Sequence, residues 1–118
     1  MILVDTCVWI GHLRRRDATL EALLEQRLVV SHEYVVGELL SGRNELDVGL
    51  IDALEELPWL PKLEHAEFRS FASKPALAAG GLGFVDTHLL GSVRITAGAT
   101  LMTYDKRLKS AFERLAMH

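Results

Sequence analysis

The stretch Ile2-Leu3-Val4-Asp5-Thr6-Cys7, "ILVDTC", decides the fold. Three consecutive apolar residues read as a strand buried on both faces, the mark of a parallel sheet covered by helices rather than an antiparallel sheet with one wet side. A carboxylate follows directly. Asp5 and Thr6 are both good helix N-caps, and Val8, Trp9, Ile10 and Leu13 supply an apolar face for the helix they would open. Taken alone, Asp5 needs no other explanation.

Further along, strand and helix signals alternate. A second helix fits Ala18 to Gln26, with Leu20, Leu23 and Leu24 as its stripe, and Leu28 to Val30 is another short apolar run. Ser31 is placed to cap a helix running through Leu40 and stopped by Gly42. A helix over Glu45 to Leu57 ends at Pro58, a short strand fits Trp59 and Leu60, and Glu64 to Ser73 reads as helical. Gly80, Gly81 and Gly83 mark a loop, Phe84 to Ala97 a helix, Thr100 to Thr103 a strand, and Asp105 to Leu115 a last helix. Short strands alternating with helices predict a three-layer α/β/α sandwich with a central parallel sheet of about four strands. No repeat, linker or low-complexity run divides the chain, so residues 1–118 are expected to form one domain.

Thirteen Lys and Arg against sixteen Asp and Glu give a net charge of −3, which argues against binding a polyanion by bulk charge alone. Local basic runs remain at Arg14 to Arg16 and at Lys106, Arg107, Lys109 and Arg114. No stretch reaches the ~20 apolar residues of a membrane span, and no basic, signal-like segment precedes the first strand, so a cytoplasmic location is expected. The single cysteine, Cys7, has no partner for an internal disulfide or a metal pair and reads as a small buried filler.

In parallel α/β sheets, ligands gather outside the carboxyl ends of the strands, near the point where strand order reverses. Asp5 follows the first strand and Asp105 lies just beyond the "TLM" strand, so both acids face one edge. Glu38 borders the inward face of its helix beside Val35 and Leu39, and Asp86 sits in the first turn of a very apolar helix. Gathering these four is costly, since two carboxylates ~5 Å apart repel by roughly 3 kcal/mol at an effective dielectric of ~20. Protonation or a cation must relieve the repulsion, and oxygen-only donors suit Mg²⁺ or Mn²⁺. Histidine ligation fits poorly: His88 lies about 200° round the helix from Asp86, and His12, His32, His65 and His118 show no paired spacing.

The segments "VDTCVWIGHLR" (4–14), "SHEYVVGELLSG" (31–42), "GLGFVDTHLL" (81–90) and "TLMTYDKRL" (100–108), in this order and spacing, resemble the PIN domains, and more closely the VapC ribonuclease toxins of bacterial toxin–antitoxin pairs. The resemblance covers nearly the whole chain. It implies that Asp5, Glu38, Asp86 and Asp105 form an acidic Mg²⁺ or Mn²⁺ site, with Asp5, Asp86 and Asp105 as direct ligands and Glu38 acting through water. It further implies that Thr103 supports the site by hydrogen bonding, with Thr6 serving similarly or as a cap. The activity it implies is that of an endoribonuclease toxin cutting structured RNA, tRNA or rRNA, by metal-activated water attack on a phosphodiester. The partners are a VapB-type antitoxin, a second toxin subunit in a homodimer, and operator DNA reached only through the antitoxin in a hetero-oligomer.

The chain departs from the pattern at Gly11, where relatives often carry Asp, and at Cys7, where Ser is common. Little sequence follows the last helix, so no fifth strand is expected. An alternative within the same fold is a catalytically weak module that acts mainly by binding antitoxin and, through it, DNA. An aspartyl-phosphate receiver or phosphatase fits less well: a receiver needs paired acids after the first strand, and a phosphatase needs a second Asp where Cys7 stands.

Overall fold

The central strand, β1 (Ile2–Val4), is flanked on one side by β2 (Val29–Val30) and on the other by β3 (Thr100–Met102), all parallel. This arrangement comes from a computed structural model that describes residues 1–42, 48–78 and 80–115. Register pairs Leu3 with Val30 and with Leu101. Leu3 and Val4, which point to opposite faces, are both fully buried, so helices cover the sheet on each side as the apolar run predicts. Between and after the strands lie α1 (Thr6–Arg14), α2 (Ala18–Glu25), α3 (Glu33–Ser41), α4 (Val48–Glu56), α5 (His65–Ala72), a 3-10 turn (Pro75–Leu77), α6 (Phe84–Ile95) and α7 (Lys106–Arg114).

Because β2 and β3 lie on opposite sides of β1, the reversal of strand order falls at the carboxyl end of β1, where Asp5 stands. Ladder bonding continues one residue further there, the Asp5 N–H donating to the Met102 carbonyl at 2.9 Å. The expected fourth strand at Trp59–Leu60 is reduced to a single parallel bridge between Ser31 and Trp59. The segment is confined between Pro58 and Pro61, neither of which can donate to a ladder.

Ser31 is not the cap of α3. Its backbone is taken up by the bridge, accepting from Leu60 N–H at 2.9 Å and donating to the Pro58 carbonyl at 2.8 Å, and the cap passes to His32. The His32 Nδ1 accepts the Tyr34 N–H at 3.0 Å, which leaves the proton on Nε2 to donate to Ser92 Oγ at 2.8 Å. The expected start of the next helix at Glu45 lies outside the described residues. Helix α6 ends at Ile95, two residues short of the expected Ala97.

Helix α6 runs through the interior, with every residue from Thr87 to Val93 buried. Such a helix must let its neighbours approach closely, and Gly91 does so: a Cβ there would lie 2.2 Å from Leu63 Cδ1 and 3.3 Å from Phe71 Cδ2. Gly91→Ala is therefore expected to destabilise the fold by about 1–3 kcal/mol through overpacking, seen as a lower urea midpoint. Gly11→Ala should act in the opposite sense. Gly11 lies inside α1 with nothing within 4 Å of a Cβ, so the substitution gains about 0.5–1 kcal/mol of helix propensity.

Candidate active site

Helices α1 and α7 begin immediately after the carboxyl ends of neighbouring parallel strands, and each is capped by an acid at that edge. Asp5 Oδ1 accepts the Thr6 N–H at 2.8 Å, which is the cap read from sequence. Its other oxygen accepts from Thr103 Oγ1 at 2.7 Å. Asp105 caps α7, Oδ1 accepting the N–H groups of Arg107 and Leu108 at 2.9 and 3.0 Å. Thr103 joins the two acids, since its hydroxyl oxygen also accepts the Asp105 N–H at 3.0 Å.

A second hydroxyl fixes the third acid. Thr6, the first residue of α1, donates from Oγ1 to Glu38 Oε1 at 2.6 Å and so ties the middle of α3 to the start of α1. Of the two roles open to Thr6, capping belongs to Asp5, and the Thr6 side chain positions Glu38. Burial differs sharply among the acids: Asp5 is buried, Asp86 partly buried, and Glu38 and Asp105 exposed.

Asp86, in the first turn of α6, has no hydrogen bond or ion pair to its carboxylate among the described residues. Burial first, and then repulsion from Asp5, Asp105 and Glu38, push its carboxyl up to about 6. All three other acids contribute to that shift, so the four sequence-singled carboxylates share one electrostatic environment. They do not close into a cage: among the described residues, no three His, Cys, Asp or Glu side chains stand close enough to enclose a metal ion.

Cys7 is exposed rather than a buried filler. Its thiol donates to Asp5 Oδ2 at 3.3 Å and lies 3.7 Å from Thr103 Oγ1. Partial burial raises the thiol above its ordinary range, and the Asp5 charge adds to the effect, so it stays protonated at neutral pH. His88, two residues after Asp86, turns inward and is 4% exposed, packed among aromatic rings. Lys106 and Arg107 follow Asp105 at the exposed rim, and Arg14 and Arg15 are exposed at the end of α1, whereas Arg16 is paired with Glu21.

Sequence reasoning missed the ring cluster of Tyr34, Phe68, Phe84 and His88 beside these acids. Phe84 packs on Phe68 with centroids 5.1 Å apart and on His88 at 4.6 Å. The only signal was a large apolar residue at the solvent-facing start of a helix.

The family model described as PIN domain matches residues 2–114. Among curated proteins, the chain is 44% identical over 111 residues to Ribonuclease VapC32 of Mycobacterium tuberculosis strain CDC 1551, spanning 94% of this chain and 90% of the relative. Ribonuclease VapC32 of strain H37Rv matches with the same identity and coverage.

Proposed function

The chain belongs to the PIN-domain family, and from that premise we propose that it is a Mg²⁺- or Mn²⁺-dependent endoribonuclease of the VapC toxin type, inhibited by a VapB-type antitoxin. The observation that carries this reading is the grouping of the acids, with Thr103 bonded to Asp5 and Asp105, Thr6 bonded to Glu38, and the Asp86 carboxyl raised to about 6 by burial and the three neighbouring carboxylates. An all-oxygen donor set with unrelieved negative charge fits a hard divalent cation. By the family resemblance, Asp5, Asp86 and Asp105 would hold it, with Glu38 acting through water, although among the described residues no three of these side chains already form a closed cage. When bound, such a cation supplies charge neutralisation at a scissile phosphate and makes water a stronger nucleophile.

The chain's own residues do the positioning. Thr103 holds Asp5 and Asp105 in fixed relation, and Thr6 holds Glu38 by one oxygen, leaving Oε2 to orient a water. The N-terminal ends of α1 and α7 open at the same edge and favour negative charge there. Lys106, Arg107, Arg14 and Arg15 are placed on exposed surface as contacts for RNA phosphates. Structured RNA, tRNA or rRNA, is the proposed substrate, with recognition through shape and splayed bases suiting an acidic protein. A homodimer, a toxin–antitoxin hetero-oligomer that reaches operator DNA through the antitoxin, and a cytoplasmic location complete the reading. No helix among the described residues is long and apolar enough to cross a membrane.

The test is cleavage of total RNA by purified protein with Mg²⁺ or Mn²⁺. Discrete fragments are expected, lost on chelation and in Asp5→Asn. Equal cleavage by wild type and Asp5→Asn would overturn the proposed site. The spread of the carboxylates favours a second reading, the catalytically weak binding module. It predicts no Mn²⁺ binding by the isolated protein and undiminished toxicity of the acid variants.

A further inference from the structure

Phe84 is the first residue of α6, two positions before Asp86, and its ring is 61% exposed. An exposed phenylalanine is ordinarily free to move, but this one rests on a built stack. Beneath it His88 lies parallel to Phe68, 4.2 Å between centroids and 12° between planes, and Tyr34 meets His88 edge-on at 4.7 Å. Phe84 contacts all three rings, at 5.9 Å from Tyr34, 5.1 Å from Phe68 and 4.6 Å from His88. Its outer face is left to solvent in a fixed orientation.

Two depressions flank this ring. One, of about 300 Å³, is lined by the rings of Tyr34, Phe68, Phe84 and His88. Lys62, Leu63, Glu64 and His65 complete its lining. The other, of about 260 Å³, is lined by Tyr34, Phe84 and Glu38 among others. Tyr34 and Phe84 belong to both and form the wall between them, so the aromatic pocket adjoins the depression that contains Glu38. The first volume lies at the small end of ligand pockets, which run from ~300 to 1,000 Å³. His88 itself is 4% exposed, and its Nδ1 is buried with no hydrogen-bond partner among the described residues. At the rim Lys62 is paired with Glu33 at 3.0 Å, presenting a donor and an acceptor side by side.

We propose that this pocket is a nucleobase subsite, in which one unpaired base of the RNA substrate stacks against Phe84 and Tyr34 beside the acidic site. The chemistry selects a base over a phosphate: the lining offers ring faces, two imidazoles, the Glu64 carboxylate and a lysine already paired with Glu33, not a cluster of unpaired cations. Aromatic side chains take splayed bases in this way because every base has a π-face, and polar groups at the edge then discriminate among them. The inference rests on the ribonuclease reading and names where that enzyme would read its substrate.

The experiment uses the full chain carrying Asp5→Asn to suppress cutting, and single-stranded RNA hexamers, intact or with one abasic position, followed by fluorescence anisotropy. Phe84→Ala should weaken binding of the intact hexamer about tenfold. The abasic lesion should weaken the parent by a similar factor, and Phe84→Ala should add nothing to it. Phe84→Tyr should bind like the parent, which separates stacking from any general role in folding. Equal weakening of intact and abasic RNA by Phe84→Ala, or none, would overturn the subsite. Cleavage by the chain with Asp5 intact separates the two failures. A protein that cuts RNA without any Phe84-dependent base effect loses the subsite and remains a nuclease. Phe84-dependent binding without cutting retains the subsite and removes the nuclease, and a protein that neither binds nor cuts loses both.

Discussion

Asp86→Asn is expected to reduce RNA cleavage by at least about a hundredfold while making the cation-free protein more stable at pH 7. Most substitutions in a core helix destabilise. The sign reverses here because the Asp86 carboxylate is held against burial and against Asp5, Asp105 and Glu38, its carboxyl standing at about 6 instead of 3.8. Between those values the folded state binds more protons than the unfolded chain. Its contribution is thus fully present below pH 3.8 and is lost as pH rises through 6. Asparagine keeps the shape of the protonated acid at every pH and removes that loss. Water still screens a half-buried group, so the gain is about 1 kcal/mol. Thermal unfolding with and without Mn²⁺ gives a readout independent of activity: the cation should raise the wild-type midpoint and leave that of Asp86→Asn nearly unchanged. A midpoint that falls on substitution, or an equal Mn²⁺ response in both proteins, would remove Asp86 from the site.

The same residue shows how far the sequence could be read. Asp5 and Asp86 could be singled out because a carboxylate directly after a buried strand, or in the first turn of an apolar helix, stands out against its neighbours, and Asp105 because it lies just beyond a neighbouring strand. Local signals of that kind also located every described strand and helix to within a few residues. Trp59 and Leu60 make one bridge but no extended ladder, since an apolar pair between prolines has the composition of a strand but no flanking donors to extend it. Ser31 and His32 exchanged roles for a tertiary reason: the bridge to Trp59 claimed the Ser31 backbone, and the Ser92 hydroxyl, sixty residues away, anchored the imidazole that became the cap. Cys7 looked like filler because its contact with Asp5 and Thr103 depends on the neighbouring strand. The ring cluster was invisible for the same reason, as its members come from three different helices. What could not be read was the set of contacts between elements.

Those contacts also set the response to acid, which is expected to be damped in the wild type and steeper in Asp86→Asn. His32 is fully buried, and its Nδ1 is committed to the Tyr34 N–H, so a second proton would cost that cap and place a cation at the N-terminal end of α3. Burial, and then the proximity of His88, lower its pKa from 6.5 to about 4. In that window the unfolded chain binds more protons than the folded one, so stability is lost as pH falls from 6.5 toward 4. At about 1.4 kcal/mol per pH unit, the loss reaches about 3 kcal/mol. Asp86 acts in the opposite direction over nearly the same window, gaining stability as it protonates, and partly offsets His32 in the wild type. Substituting Asp86 removes that counterweight. Urea midpoints in chelator from pH 7.5 to 4 should therefore fall more steeply for Asp86→Asn than for wild type. Adding His32→Asn should lower stability at neutral pH by about 1–2 kcal/mol through loss of the Ser92 bond, and should flatten the acid slope. His88, which burial shifts in the same direction, contributes to the slope that remains. Parallel profiles for Asp86→Asn with and without His32 would show that the imidazole does not control the acid transition.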